Sequence, residues 1–503
     1  MKKAAIVGAG LGGLTVGALL ARDGWKVTIY DKNPRVGGVC AFAEKNGYKW
    51  EQGPLILGDM LPGESVYELL KSLGIHLPTV RADRGIEMPD YALWKSEEYE
   101  GPYWRRDYLK KLFPEDAEGL DEYYRLYDNM MEIRYLSETL AKNDNYIRKL
   151  RIIAKFIKVR KYMKMTAQEL VEHLFKNEKL HALFTGIFCD FCASPTEVQG
   201  LGVIYANYET AFDKRIPLDK KGKKYYPGFV NIIGGVQKLP EALAEYIISH
   251  GGEIKLNTVV DKVLIENNTA RGVRLADGSQ EYAGLVVGSG GGKDFFFNTV
   301  GRDKLNKPYA DILDSYRPME AVFMVHLGVD FDPMEYMKSA LCYYYKNYDI
   351  PAAVEKMRQG IYHEGEDGFL IYVPSAHAPE FAPEGKHCVT IYTVAPDTLA
   401  DGDWESKKEY YADRLIELAE EHLPGLREHI CEKLIMTAVD YRDLMHTSKC
   451  SFGGNIPIWN QPTPGYTTAI NGLYFVGQQS ESGGGVGAVI NGAKNAYSRM
   501  RET

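Results

Sequence analysis

An α/β fold with a parallel sheet, interrupted by an inserted α+β region, is predicted by three features of the 503-residue sequence. A glycine-rich strand–turn–helix pattern begins the chain, a second one lies near its C-terminus, and a helix followed by short strands lies between them. Strands that alternate with helices build parallel sheets, so the two ends of the chain are expected to meet in one discontinuous domain.

The N-terminal pattern starts with an apolar strand over residues 4–7 and continues with the turn Gly8-Ala9-Gly10-Leu11-Gly12-Gly13. Residues 14–23 have the apolar spacing of a helix, and residues 25–30 are typical of a second strand. The basic and apolar residues at this end imitate a secretory signal peptide. The glycines that interrupt the apolar stretch favour the strand–turn–helix instead.

The spacing of these residues predicts a site for an adenine dinucleotide. Gly8 allows a tight turn, Gly10 lets the backbone approach a pyrophosphate, and Gly13 permits close packing of the helix on the strand. The start of the helix offers unpaired N–H groups to the same anion. Asp31 lies 18 residues past Gly13, where a carboxylate accepts hydrogen bonds from the ribose hydroxyls.

Near the C-terminus, residues 472–477 are typical of a buried strand that ends at Gly477. The turn Ser482-Gly483-Gly484-Gly485-Val486-Gly487 then leads into a helix that runs to about Arg499. Such a helix start carries almost no side chains, so it can lie against a flat ring. Its N–H groups and dipole would stabilise negative charge that develops on such a ring.

The central block is predicted to add a helix and a group of strands to the same domain. The dipeptide Asp277-Gly278 predicts a hairpin turn within it. The helix is expected over residues 234–249, and the strands over residues 251–254, 259–263, 270–273 and 285–288.

The segment Asp31-Lys32-Asn33-Pro34-Arg35-Val36-Gly37-Gly38 has an acid, three residues, an arginine, an apolar residue and two glycines. This order resembles the extended motif of the two-dinucleotide-binding-domain flavoproteins, which favours FAD over NAD. Arg35 is suited to contact diphosphate or flavin-side groups, while Gly37 and Gly38 let a loop pass the cofactor without Cβ clashes.

Taken together, the three patterns resemble the phytoene desaturase, carotenoid isomerase and retinol saturase branch of the flavin amine oxidase superfamily, and the resemblance spans the chain. It implies a Rossmann-like FAD-binding domain of the three-layer, two-dinucleotide-binding-domain flavoprotein type, with an inserted α+β substrate domain. The expected FAD-binding domain covers residues 1–85, 226–296 and 465–503. The expected substrate domain covers residues 86–225 and 297–464.

The resemblance also assigns individual residues. Val260 contacts the adenine through its backbone, and Glu51 begins an acid-x-Gly-Pro loop near the flavin, which makes Glu51 the candidate polar catalytic group. Val39 stands where relatives commonly carry arginine, Gln478 where many have an acid or a small residue, and Ser482 where proline is common. The expected cofactor contacts are Gly8, Gly10, Leu11, Gly12, Gly13, Asp31, Lys32, Arg35, Gly37, Gly38, Val39, Gly53, Pro54, Val260, Gly477, Gln478, Gly485, Val486 and Gly487.

Residues 148–165 predict a basic amphipathic helix, because basic and apolar residues are interleaved there. On a chain with a formal net charge of −8, such a helix is suited to an anionic bilayer, where it would open a path for a lipophilic substrate. A solvated face above a packed apolar stripe is the alternative interpretation. The basic residues are Arg148, Lys149, Arg151, Lys155, Lys158, Arg160, Lys161 and Lys164.

Composition limits the partners and the compartment. The negative net charge gives no overall attraction to polyanions, so nucleic acid is not an expected partner. Cys189 and Cys192 form a lone C-x-x-C without a second pair at zinc spacing, so no metal site is expected. The cysteines are scattered and odd in total number, which indicates a reduced, cytoplasmic protein. The basic helix would place this protein at the inner face of the membrane. The cysteines are Cys40, Cys189, Cys192, Cys342, Cys388, Cys431 and Cys450.

No Ser/His/Asp arrangement, carboxylate pair or metal cluster is recognisable, so the flavin is expected to carry the chemistry. His326 lies in an apolar strand and is interpreted as a core histidine. The resemblance predicts an FAD-dependent oxidoreductase that desaturates, saturates or isomerises carbon–carbon bonds of a lipophilic substrate, such as a carotenoid, another isoprenoid or a fatty lipid. A flavin-dependent amine or amino-acid oxidase and a non-catalytic FAD-containing binding protein are the alternatives, and the electron donor or acceptor is unspecified.

Overall fold

The computed structural model describes residues 2–140, 146–218, 227–449 and 452–502. The expected boundary between residues 225 and 226, and Cys450, lie outside these ranges. The strands are β1 (Lys3–Val7), β2 (Lys26–Tyr30), β3 (Phe42–Lys45), β4 (Tyr48–Glu51), β5 (Thr79–Arg81), β6 (Gly85–Met88), β7 (Tyr91–Leu93), β8 (Val230–Ile232), β9 (Glu253–Lys255), β10 (Val260–Glu266), β11 (Thr269–Leu275), β12 (Gln280–Tyr282), β13 (Leu285–Ser289), β14 (Ala321–Val329), β15 (Leu341–Tyr345), β16 (Gly368–Tyr372), β17 (His387–Ala395), β18 (Ile430–Met436) and β19 (Leu473–Val476). The α-helices are α1 (Leu11–Arg22), α2 (Ser65–Ser72), α3 (Trp104–Leu112), α4 (Ala117–Leu140), α5 (Tyr146–Val159), α6 (Ala167–Leu174), α7 (Glu178–Thr185), α8 (Gly202–Ala206), α9 (Lys238–Ser249), α10 (Gly292–Asp294), α11 (Lys307–Ser315), α12 (Ile350–Arg358), α13 (Trp404–Glu420), α14 (Ala438–Met445) and α15 (Val486–Glu502).

A parallel sheet joins the two ends of the chain. Its strand order is β19–β13–β1–β2–β9, and each neighbouring pair is parallel. Ile6 of β1 is buried with α1, α9 and α15 on one face, whereas Ala5 is buried on the other face with the antiparallel sheet β10–β11–β12. Because successive side chains of a strand point to opposite faces, the apolar run of β1 fills both cores. These layers form a three-layer α/β domain of the Rossmann type.

The order of the strands also sets the position of a binding crevice. The chain moves outward from β1 to β2 on one side and reaches β13 and β19 on the other, so the order reverses at β1. Ligands of such sheets bind outside the carboxyl ends of the strands at this reversal. Gly8, which follows β1, has a φ of 104°, and an added Cβ would lie 2.2 Å from the Ser289 carbonyl oxygen at the end of β13.

A mixed seven-stranded sheet forms the second part of the described structure, in the order β18–β14–β17–β16–β15–β6–β7. Every residue of β14 is buried, because both faces of this interior strand are covered. Phe323 and Val325 pack against α13 on one face. Val322 and Met324 belong to a core shared with the helices α3 to α8 on the other. The sheet therefore separates a covering helix from a helical wall.

The apolar spacing of residues 86–225 predicts a mainly helical segment, and the structure differs from this prediction in one respect. Residues 86 to 218 are mainly helical, but β6 and β7 join the seven-stranded sheet, where β6 runs parallel to β15. Each of these strands is at most four residues long, so neither carries a recognisable periodicity. Within the wall, Arg105 of α3 and Glu209 form an ion pair of 2.8 Å, and both side chains are fully buried.

The basic segment also differs from the single helix that its sequence predicts. Helix α5 ends at Val159, and residues 160–164 continue as a 3-10 helix. Val159 and Tyr162 are buried, and the Tyr162 hydroxyl donates a hydrogen bond to Glu122 of α4. This hydrogen bond attaches the 3-10 segment to α4. Apart from the buried Val159 and the half-buried Ile152, the large apolar residues of α5 are exposed to solvent rather than packed as a stripe beneath a solvated face.

Candidate cofactor and substrate site

A cavity of about 850 Å³ runs from the carboxyl ends of β1, β2 and β13 to the seven-stranded sheet. Its volume and its two-part lining fit a large cofactor together with a substrate. The expected cofactor contacts that line it are Gly8, Gly10, Leu11, Gly12, Asp31, Lys32, Gly37, Gly38, Val39, Gly53, Pro54, Val260, Gly477, Gln478, Gly485, Val486 and Gly487.

The first helix starts at the wall of this cavity. Gly10 precedes α1 with an extended backbone, at φ −75° and ψ 173°, and a Cβ added there would meet no atom within 4 Å. A Cβ on Gly12 would lie 2.9 Å from the Gly477 backbone nitrogen, so α1 and the turn after β19 nearly touch. The bare backbone at Gly10 leaves the free N–H groups of the helix start open to an anion, which fits the pyrophosphate of FAD.

The last helix starts at the same cavity. Gly485 has a φ of 93° and, like Gly10, leaves open space where a Cβ would project. A Cβ on the preceding Gly484 would lie 1.9 Å from the Gly453 carbonyl oxygen, so this turn requires glycine on steric grounds. The first residues of α15 line the cavity, and their N–H groups carry the positive end of the helix dipole. This arrangement suits the edge of a flavin ring.

Asp31 lies at the dinucleotide end, next to Val260. Its Oδ2 accepts a hydrogen bond of 2.7 Å from the Ala9 N–H, and its Oδ1 accepts one of 2.7 Å from the Asn33 N–H. Burial raises the pKa of this carboxyl group, while the two backbone hydrogen bonds act in the opposite direction. Carboxylate oxygens have further lone pairs, so Asp31 can still accept hydrogen bonds from the hydroxyl groups of a ribose bound in the cavity.

Two expected cofactor contacts lie away from the cavity wall that the described residues form. Gly13 lies inside the first helix, where a Cβ would be 2.2 Å from the Gly8 carbonyl oxygen. Arg35 is exposed: its Nη2 lies 2.7 Å from Glu44 Oε2, and its guanidinium lies 4.5 Å from the centre of the Phe42 ring. Direct contact of Arg35 with the cofactor stays a prediction.

Glu51, the candidate catalytic group, lies behind the wall. Its Oε1 accepts a hydrogen bond of 2.7 Å from the Val236 N–H, and its Oε2 accepts one from the Tyr372 hydroxyl. The Nε2 of His377 lies 3.6 Å from the same oxygen. The buried carboxylate thereby ties the loop that carries Gly53 to the turn before α9. A role of Glu51 near the ring stays a prediction.

Residues 442–448, which the sequence pattern did not point to, form another side of the cavity. The Lys32 ammonium group donates to the Asp443 carbonyl oxygen, and the Asn33 side-chain amide donates to that of Leu444 at 2.9 Å. These hydrogen bonds join the end of α14 to the part of the cavity that is expected to hold the dinucleotide, although the two regions are far apart in the sequence. No local motif marks such contacts, so they could not be predicted from the sequence.

The part of the cavity that lies against the seven-stranded sheet has a mainly apolar wall, which we call the apolar chamber. Tyrosines contribute rings to it, and burial raises the pKa of Tyr392 well above its ordinary value, so its hydroxyl stays neutral. The apolar and aromatic residues that line the chamber are Phe191, Phe229, Met319, Leu341, Tyr343, Leu370, Tyr392 and Phe452. Asp190 is the charged residue described in this wall.

Other residues singled out from the sequence lie in the core. His326 is fully buried, its Nδ1 lies 2.9 Å from Thr390 Oγ1, and burial lowers its pKa to about 3. It is therefore a neutral core histidine, as interpreted from the sequence. Cys189 and Cys192 are free thiols, and burial raises the pKa of both, which disfavours the reactive thiolate.

The three-layer sheet domain, the two bare helix starts and the adjoining chamber define a dinucleotide-binding flavoprotein. The family model for flavin-containing amine oxidoreductases matches residues 11–497, and the chain belongs to this family. It is an FAD-dependent oxidoreductase, which confirms the predicted cofactor, fold and enzyme class.

Similar proteins agree with the branch expected from the sequence. A chloroplastic prolycopene isomerase of Daucus carota is 24% identical, covering 97% of this chain and 78% of its own. A neurosporene-forming phytoene desaturase of Rhodobacter capsulatus is 25% identical, covering 97% of this chain and 92% of its own. An oxidoreductase structure from Methanosarcina mazei has the same fold, with a TM-score of 0.63, 20% identity and full coverage of both chains. The predicted place in the desaturase and isomerase branch is confirmed.

Among the helices of the described residues, none combines the length and the apolar character that crossing a bilayer requires.

Proposed function

We propose that this flavoenzyme desaturates, saturates or isomerises carbon–carbon bonds of a lipophilic substrate, such as a carotenoid, another isoprenoid or a fatty lipid. The observation that carries the proposal is the apolar chamber that continues the cofactor cavity. Relatives that are named for prolycopene isomerisation and phytoene desaturation support the same reaction class.

The described residues divide the work between the two parts of the cavity. The starts of α1 and α15 would hold FAD, which supplies two-electron chemistry when bound. The chamber supplies a dry wall that positions a substrate without polar handles and keeps water away from the reacting bond. Gly53 and Pro54 also line the cavity, so they would help to position the cofactor and the substrate there.

The test is an anaerobic titration of the FAD-loaded protein with polyenes, lipid extracts and amines, followed by visible absorption and chromatography of the lipids. We expect a lipid to bleach the flavin, or to emerge with changed double bonds after the flavin has been reduced chemically. Bleaching by amines with no change to any lipid would instead establish an amine or amino-acid oxidase. A flavin that no lipid or amine alters, and no altered lipid, would contradict catalysis on lipids.

We further propose that α5 binds the surface of an anionic membrane from the cytoplasmic side and so brings the chamber to its substrate. The side chains of Ile147 and Ile157 are 68% and 67% exposed, an unusual exposure for large apolar groups on one helix. Lys158 at the end of α5, and Arg160 and Lys164 in the 3-10 segment that follows, are exposed as well. An apolar face with cationic residues around it matches the chemistry of an anionic lipid surface.

The helix proposal predicts a change in vesicle binding. A triple variant, Lys158→Glu, Arg160→Glu and Lys164→Glu, is expected to bind vesicles of phosphatidylcholine and phosphatidylserine at least about tenfold more weakly, since each cation contributes about 1 kcal/mol at such a surface. Co-sedimentation measures the effect. The matched control carries the same charge changes on the parallel-sheet domain, at Lys26, Lys71 and Lys494, and is expected to bind like the wild type. Equal binding by both variants, or none by the wild type, would rule the proposal out.

A further inference from the structure

Asp190 interrupts the wall of the apolar chamber. It follows Cys189 in a 3-10 helix after α7 and lines both the main cavity and a small adjoining pocket. The Tyr343 hydroxyl of β15 donates a hydrogen bond of 2.8 Å to Asp190 Oδ2. Among the described residues, none donates a hydrogen bond to the second oxygen, Oδ1. The carboxylate is therefore held from one side and open to the chamber on the other.

The surroundings make this open oxygen unusual. Burial raises the pKa of Asp190 to about 6, against the opposing effects of the Tyr343 hydroxyl and the Arg84 cation. A carboxylate oxygen in an apolar enclosure loses its hydration, and this costs free energy unless a donor replaces the water. Cores avoid such a group, whereas binding sites use a few placed polar groups to fix the orientation of an apolar ligand.

The nearby cation indicates which kind of donor fits. The Arg84 guanidinium lies 5.4 Å from the centre of the Tyr343 ring, and its Nη2 donates to the Ala206 carbonyl oxygen at 2.8 Å. Its charge therefore balances that of Asp190 from behind the tyrosine. A site that is close to neutral as a whole has no excess charge to hold a cationic amine. It can still accept a hydrogen bond from a neutral hydroxyl group.

We propose that Asp190 Oδ1 binds a hydroxyl group on the lipophilic substrate, with Tyr343 orienting the carboxylate. The substrate class is then an isoprenoid or fatty lipid that carries a hydroxyl group, rather than a pure hydrocarbon. This inference rests on the proposed function, because it assigns a polar group to the substrate of the same chamber. It adds a charged specificity residue to a wall that is mainly apolar.

The test compares ligands that differ in one group. The FAD-loaded protein is titrated with geranylgeraniol and with the hydrocarbon that carries a methyl group in place of its hydroxymethyl group, in the same detergent, and binding is followed by quenching of protein fluorescence. We expect the wild type to bind the alcohol roughly tenfold or more tightly, as for a hydrogen bond to a charged group. Asp190→Leu is expected to bring the ratio to about one without weakening hydrocarbon binding, whereas Asp190→Asn keeps part of the preference.

Three other results would contradict the hydroxyl assignment, and they distinguish it from the proposed function. Equal binding of the two ligands by the wild type, or a preference that survives in Asp190→Leu, would overturn the hydroxyl assignment alone. Tighter binding of geranylgeranylamine than of the alcohol, lost in Asp190→Leu, would overturn it in favour of a cationic ligand. Failure of the FAD-loaded wild type to bind any of these chains would overturn the proposed function as well. The FAD content of each variant shows that the fold is retained.

Discussion

Gly10→Val is expected to leave the chain folded and to lower its affinity for FAD by about 100-fold or more, because the pyrophosphate depends on close approach to the bare helix start. The backbone at Gly10 has φ −75° and ψ 173°, which any residue adopts without strain. An added Cβ meets no protein atom within 4 Å, so the valine side chain would occupy the cavity itself.

The measurement is the FAD content after purification and the dissociation constant of the apoprotein for FAD, with circular dichroism as the check on folding. Gly284→Val is the matched control. A Cβ at Gly284 also meets nothing within 4 Å, but this residue is exposed before β13 and lies off the cavity wall. It should bind FAD like the wild type. Normal FAD affinity in Gly10→Val would show that the cofactor does not use the start of α1.

Arg105→Leu is expected to lower the free energy of unfolding by about 3–5 kcal/mol, since it leaves the Glu209 carboxylate buried without its partner. The pair is 2.8 Å long and its side chains are 0% and 1% exposed, so water cannot replace the lost cation. The guanidinium also lies 3.8 Å from the centre of the Phe212 ring, and this contact disappears with it.

Arg106 provides the control at the next position. Its Nε pairs with Asp107 at 2.8 Å, but the two side chains are 31% and 58% exposed, so Arg106→Leu should change stability only by tenths of a kcal/mol. Urea unfolding of the FAD-loaded proteins, followed by circular dichroism, measures both. Similar losses in the free energy of unfolding of the two variants would mean that burial of the ion pair does not govern its contribution to stability.

The parallel-sheet domain could be predicted because the motifs that form it lie in short, continuous stretches of the sequence. Strand β1 is recognisable from its apolar residues and the glycine turn after it, and β19 from its apolar run. Both strands occur where the sequence predicts them. Helix α1 differs by beginning at Leu11 rather than at residue 14, because the glycines of the turn themselves adopt helical geometry.

The chamber could not be predicted in the same way. Asp190 and Tyr343 are 153 positions apart, and neither stands in a motif that indicates a binding group. The sequence also does not predict whether the apolar side chains of α5 are exposed. The same periodicity suits a helix packed on a core and a helix that faces a lipid surface. Only the position of neighbouring elements distinguishes these cases.

The discontinuous sheet has a consequence for the order of events during synthesis. Strand β13 pairs with β1 and β19, which lie at opposite ends of the sequence, so the central crevice is assembled from segments made far apart in time. Until residues 473–489 have left the ribosome, β13 has an open edge and α15 cannot supply its half of the ring site. We therefore expect FAD to bind stably only after α15 has been made, because the start of this helix lines the cavity.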